Sequence, residues 1–212
     1  MKLCISPILF LVGLASSASA ALTKGYIQVQ GQPGRDSESP VNISILYDDF
    51  DGDVIASKDH PVLEVQIDLD RAQTTESDIE ILNGFWADIY KYLGISVRDS
   101  FSASWYPPYS PYGSFINVQQ TPGPELLRKE NAFTASYPNP MEGLPWQASA
   151  VWRYDPSSRK LTPTFLAVNG TRLPAEVYGG FYEGNCHFSI YGTGVPPSGQ
   201  SGKLEFYFLP AL

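Results

Sequence analysis

Polar and apolar residues alternate along much of the chain. In VLEVQIDLD (62–70), Leu63, Val65, Ile67 and Leu69 fall on one side, and Glu64, Gln66, Asp68 and Asp70 on the other. That period of two predicts a strand with one face in a core and one in water. YIQVQ (26–30) alternates in the same way, and NISILYD leads through an acidic stretch to DVIAS. Farther on, ASAVWRYD turns through Pro156-Ser157-Ser158 into KLTPTFLAV, and Asn169-Gly170, a dipeptide favoured in tight type I′ hairpins, leads to TRLPAEVY. CHFSIYG and KLEFYFLP follow, separated by GTGVPPSGQSG.

One segment departs from this rhythm. Between Ser77 and Leu93, the residues Ile79, Leu82, Trp86, Ile89 and Leu93 recur at spacings of three and four, the stripe of an amphipathic helix. Ser77-x-x-Glu80 fits a capping box, and Gly94 stands where a left-handed residue would end the helix. Gly84 inside it costs about 1 kcal/mol relative to alanine. From Ser102 to Pro124 the prolines disfavour helix and remove ladder donors, which predicts a long ordered loop. The fold expected is mainly β: a single-domain antiparallel β-sandwich or open barrel over 21–212, carrying one amphipathic α-helix.

Composition agrees with that reading. Thirteen tyrosines, eleven phenylalanines, eighteen prolines and eighteen glycines favour short strands and frequent turns. Residues 1–20 carry Lys2, an apolar run from Ile8 to Leu14 and the close Ala18-Ser19-Ala20, the pattern of a secretory signal peptide. The chain is therefore expected outside the cell, beginning at Ala21, with no membrane insertion. Cleavage would remove Cys4 and leave Cys186 alone, so no internal disulfide is expected. It would also leave 13 basic against 22 acidic residues, 13 − 22 = −9, a balance that repels phosphate backbones and makes nucleic acid an improbable partner.

Candidate chemistry is sparse. Asp49, Asp51 and Asp53 crowd around Gly52. Placing Gly52 at the sixth position of a helix-flanked calcium loop puts Tyr47 first and Lys58 twelfth, so that register fails at both ends. Two readings stay open: the tip of a hairpin at Asp51-Gly52, and a weak β-type calcium site. Trp105, Tyr106, Tyr109 and Tyr112, with Phe115, line a proline-stiffened stretch. Flat rings of this kind either receive the C–H faces of sugar rings or give a long loop its own small core. Asn42 and Asn169 begin N-x-Ser/Thr sequons and are candidate glycosylation sites.

His60 and His187 are the only imidazoles. Cys186 and His187 are neighbours on an expected strand and point to opposite faces, which makes a poor nucleophile pair. A glycosidase needs only two carboxylates at the correct separation on any scaffold, and Glu142, Glu176 and Glu183 lie near aromatics.

The stretch VWRYDPSSRKLTPTFLAVNGTRLPAEVYGG, with its aromatic-x-Tyr-Asp-Pro, Leu-x-Pro and Asn-Gly-Thr elements, resembles the carboxy-terminal region of uncharacterised secreted fungal proteins. The resemblance implies a secreted β-rich fold and carries over no site. The function expected is a secreted, non-catalytic binding protein, with glycan or cell-wall polymer engaged through the aromatic loop and no cofactor beyond the open question of calcium. The alternatives are a carboxylate-dependent glycoside hydrolase and a structural or host-facing protein that binds another protein.

Overall fold

The computed structural model describes residues 21–31, 43–44, 46–48, 54–56, 62–97, 113–136, 146–166, 172–182, 185–192 and 202–211. In chain order its elements are β1 (Leu22–Gly31), β2 (Ile43–Ser44), β3 (Leu46–Asp48), β4 (Val54–Ala56), β5 (Glu64–Asp68), α1 (Leu69–Thr74), β6 (Ile79–Ile81), β7 (Tyr92–Val97), β8 (Gly113–Val118), β9 (Leu127–Arg128), α2 (Ala132–Ser136), β10 (Trp146–Ala148), β11 (Trp152–Asp155), β12 (Lys160–Leu166), β13 (Arg172–Tyr182), β14 (Asn185–Gly192) and β15 (Gly202–Pro210). Every named strand pairing is antiparallel, and all fifteen strands join one sheet.

The pairings close on themselves. From β1 the ladder runs through β5, β6, β7, β8, β14, β13 and β15 and returns to β1, an eight-strand ring. Two joints are single pairs, Glu80↔Tyr92 between β6 and β7 and Ile190↔Gly113 between β8 and β14. The ring is therefore a curled sheet with two loosely joined seams. β1 and β15 are its longest-range joint, in register from Gly25↔Pro210 to Gly31↔Leu204.

Eight strands enclose just enough room for side chains to fill, and here they do. Ile27 and Val29, Val65 and Ile67, Ile79 and Ile81, Leu93 and Ile95, and Leu204, Phe206 and Phe208 are all buried and belong to one cluster. At its centre Phe115 stacks on Trp152 at 5.1 Å between centroids and meets Phe206 edge-on at 5.2 Å. The Trp152 indole N–H donates to the Leu93 carbonyl at 2.7 Å, which satisfies the polar end of this wholly buried side chain.

The helix expected over Ser77–Leu93 is not formed. Ser77 instead bridges to Trp152 through reciprocal backbone bonds, and β6 pairs with β5 so that Gln66 Nε2 donates to Glu80 across the ladder at 2.6 Å. Gly84 sits at φ +110°, and the Asn83 side chain ties the turn to the start of β5, donating to the Val62 carbonyl and accepting from the Glu64 N–H. Only one helical turn survives, with the Tyr90 N–H donating to the Trp86 carbonyl at 2.8 Å. Ile79 and Leu93 reach the core as the stripe demanded, but from two different strands, and Ile89 is 63% exposed.

Gly94 does not end a helix. It lies within β7, where a Cβ would stand 2.3 Å from Val118 Cγ2 and 2.5 Å from the Ala148 carbonyl, so only glycine lets these backbones approach. The strand read over 62–70 stops at Asp68, and its last two residues, Leu69 and Asp70, open helix α1 instead: the Asp68 side chain accepts from the Arg71 N–H at 2.9 Å and caps it. A second short helix, α2, is capped by Asn131 and Thr134 and packs on β8.

Candidate functional site

Each strand that lines the core also presents a second face. On β15 the inward Leu204, Phe206 and Phe208 alternate with the outward Lys203, Glu205 and Tyr207, and on β13 the inward Ala175 and Val177 alternate with Glu176 and Tyr178 of the other face, where Tyr178 is itself buried. β13 and β15 pair from Gly179↔Gly202 to Val177↔Leu204 and then part. Into the gap comes β12, which pairs with β15 through Lys160↔Tyr207 and Leu161↔Phe206, and with β13 through Thr164↔Pro174 onward. The fork leaves a cleft of about 160 Å³ whose rim carries Lys160, Glu176, Lys203 and Glu205.

Past that point the β13–β15 ladder ends, and Glu176 of β13 and Glu205 of β15 both line the cleft. Each carboxylate is held in the same way. Glu176 accepts from Lys203 Nζ at 2.7 Å and from the Tyr178 hydroxyl at 2.9 Å. Glu205 accepts from Lys160 Nζ at 2.5 Å and from the Tyr207 hydroxyl at 2.6 Å. The Glu-x-Tyr spacing in AEVY and LEFY puts acid and phenol on the same side of their strand, which is why both sets share a geometry.

The electrostatics follow from these bonds. Lys160 and Tyr207, donating to it, hold the Glu205 carboxyl below its ordinary range. The accepting Glu205 raises the Tyr207 hydroxyl, while burial and then Glu176 raise that of Tyr178. At neutral pH the rim therefore holds an ionised, lysine-paired Glu205 beside neutral phenols. The same face extends onto neighbouring strands, where Gln28 lies opposite Tyr207 and Gln30 opposite Glu205, and where the Tyr178 and Tyr191 rings meet edge-to-face at 5.5 Å.

The sites expected from sequence fare differently. Trp105, Tyr106, Tyr109 and Tyr112 lie outside the described residues, but both ends of their segment are fixed: Val97 pairs with Gly113, so 98–112 is inserted between two directly paired strands. Phe115, the last ring of that group, belongs to β8 and is 1% exposed in the core, so it serves packing. Asp49, Asp51 and Asp53 also lie outside the described residues. Their flanks β3 and β4 pair antiparallel through Asp48↔Val54, which leaves five residues between the last paired positions, in keeping with a hairpin connection.

β4 meets β14 at Cys186 and β8 meets it at Ile190, on the edge that β13 does not occupy. The strands that follow the 49–53 and 98–112 segments, β4 and β8, thus meet the same edge of β14. Asn42 and Asn169 are outside the described residues, the latter between β12 and β13, which pair at Leu166↔Arg172. Glu142, Glu183 and His60 lie outside them too, and Cys186 and His187 are neighbours on β14. Among the described residues no three His, Cys, Asp or Glu side chains are grouped to hold a metal ion, and no helix is long and apolar enough to cross a membrane.

The sequence alone singles out Glu176 but not Glu205. Glu205, Tyr207 and Lys160 were visible only as the outward half of alternating strands, and nothing local says that β12 is wedged between β13 and β15. Comparison with protein-family models, with curated proteins and with solved structures finds no match to this chain.

Proposed function

We propose that this is a secreted, non-catalytic binding protein whose ligand is a glycan or cell-wall polymer, engaged through the aromatic segment that holds Trp105, Tyr106, Tyr109 and Tyr112. The observation that carries the reading is an insertion: fifteen residues, rich in rings and prolines, stand between Val97 and Gly113, which pair directly. A hairpin needs only two to five residues to make that turn, so the excess is unneeded by the fold, and long excursions of this kind on a rigid scaffold commonly carry function. The filled ring gives the same direction, because its interior is occupied by Phe115, Trp152 and Phe206 and a polymer must bind outside.

Among the described residues, the alternative of a carboxylate-dependent hydrolase would draw on Glu176 and Glu205. Such chemistry needs one acid that keeps its proton near neutrality, whereas Glu205 is held below the ordinary range and is bonded to lysine. The test is binding to a panel of glycans and insoluble polysaccharides by the intact protein and by Trp105→Ala. Binding lost in a variant that melts like the parent supports the reading; binding retained removes the aromatic segment from it. Release of reducing sugar, abolished by Glu176→Gln, would favour the hydrolase.

A further inference from the structure

We infer a second contact surface for the same class of ligand: the outer face of β1, β15 and β13, centred on the cleft at the fork, receives an uncharged saccharide. The inference rests on the glycan reading for its ligand class and departs from it in location, since none of its residues belongs to the 98–112 segment.

Charge is the first argument. The chain carries a formal charge of −8, yet at the cleft two lysines face two glutamates and the rim is balanced. A polyanion would meet Glu176 and Glu205, and a polycation would meet Lys160 and Lys203; a neutral ligand meets neither penalty. Hydrogen-bonding capacity is the second. An ammonium has three donors and a carboxylate about four acceptor positions, so each Glu–Lys–Tyr set retains capacity toward solvent. The Lys203 and Glu205 side chains are 54% and 40% exposed. Both donors and acceptors are held in place by their mutual bonds, which lowers the ordering cost of binding a polyhydroxylated partner.

Shape is the third. A cleft of about 160 Å³ is too small to enclose a sugar ring with its neighbours, since sites that bury whole small ligands run to roughly 300–1,000 Å³. It fits one projecting substituent, with the rest of the ligand lying along the sheet over Gln28, Gln30 and the half-exposed Tyr207 ring. Beneath the rim Leu161, Ala175, Val177 and Phe206 belong to the buried core, so the substituent is met by the polar rim.

The test is a titration of isotope-labelled full-length protein with soluble neutral oligosaccharides (β-1,3-gluco-, β-1,4-gluco- and manno-oligosaccharides), followed through backbone amide shifts. Saturable shifts at Gln28, Gln30, Glu176, Glu205 and Tyr207 are expected. Tyr207→Ala and the double variant Lys160→Met/Glu205→Gln should each weaken binding by about tenfold or more, the loss of a single good contact. Tyr207→Phe, which keeps the ring packed, guards against a folding artefact, as does a melting curve for each variant. Shifts confined to the aromatic segment, abolished by Trp105→Ala and untouched by the fork variants, overturn this inference and leave the glycan reading standing. Shifts only with a charged polymer, such as chitosan or polygalacturonate, overturn the neutrality argument. No saturable shift with any glycan overturns both.

Discussion

The two faces of β15 are built from the same nine residues and by opposite rules. Inward, Leu204, Phe206 and Phe208 are nearly or wholly without solvent contact and are ordered by ring packing, with Phe206 edge-on to Phe115, Trp152 and Phe188. Outward, Lys203, Glu205 and Tyr207 are ordered by hydrogen bonds in a half-wet setting. Stability should reside on the first face and recognition on the second, because burial of an aromatic ring is worth several times an exposed ion pair. The difference teaches where change is tolerated: a residue moved by one position along this strand passes from the most costly class of substitution to the least.

The largest effect should come from Phe206→Ala, which removes a ring touching three others and lowers unfolding free energy by about 3–5 kcal/mol in a urea titration. A loss below about 1 kcal/mol would break the contrast between the faces. Arg172→Ala should come next. Arg172 is the charged partner of Glu76, whose side chain is 3% exposed, while the arginine side chain is 59% exposed. Removing it strands a buried carboxylate at a cost of about 1–3 kcal/mol, reduced from the fully buried case because water reaches the arginine. Arg172→Lys should recover part of the loss, as an ammonium keeps charge but not the fork.

Gly94→Ala should follow at about 1–3 kcal/mol, read as a shift of the urea midpoint, since its new methyl meets the Ala148 carbonyl and Val118.

The smallest effect belongs to the outer face. Glu205→Gln should cost under about 1 kcal/mol at neutral pH. Its sign with pH is fixed: the folded carboxyl sits below the ordinary 4.5, so its contribution is present above that value and fades as pH falls through the lowered one. Parent and variant should therefore converge in stability as pH falls from 4.5 through the lowered value. Divergence on acidification would contradict the pairing with Lys160.

Alternation made most of this fold legible in the sequence. YIQVQ, VLEVQID and KLEFYF each bury the positions that period two assigns inward, and Asp155 closes its expected turn by accepting from Ser157 and Ser158. The segment over 77–93 was misleading because strand–turn–strand can imitate a helical stripe when one helical turn joins the strands. The signal that separates them was present: Asn83-Gly84 is a turn dipeptide, and the structure uses both its side-chain amide and its positive φ. Closure of β1 on β15 joins residues some 180 positions apart, and no local pattern encodes such a partner. The fork has the same origin. Its glutamates and tyrosines are plain in AEVY and LEFY, but their meeting depends on which strands become neighbours.

The closure of the ring is the claim on which core, fork and outer face all depend, and cross-strand nuclear Overhauser effects test it directly. The account predicts contacts from β1 to β15, Ile27 with Phe208 and Val29 with Phe206, together with Val177 to Leu204 between β13 and β15. Sequential helical contacts through 77–93, with no contact between the first and last strands, would contradict it.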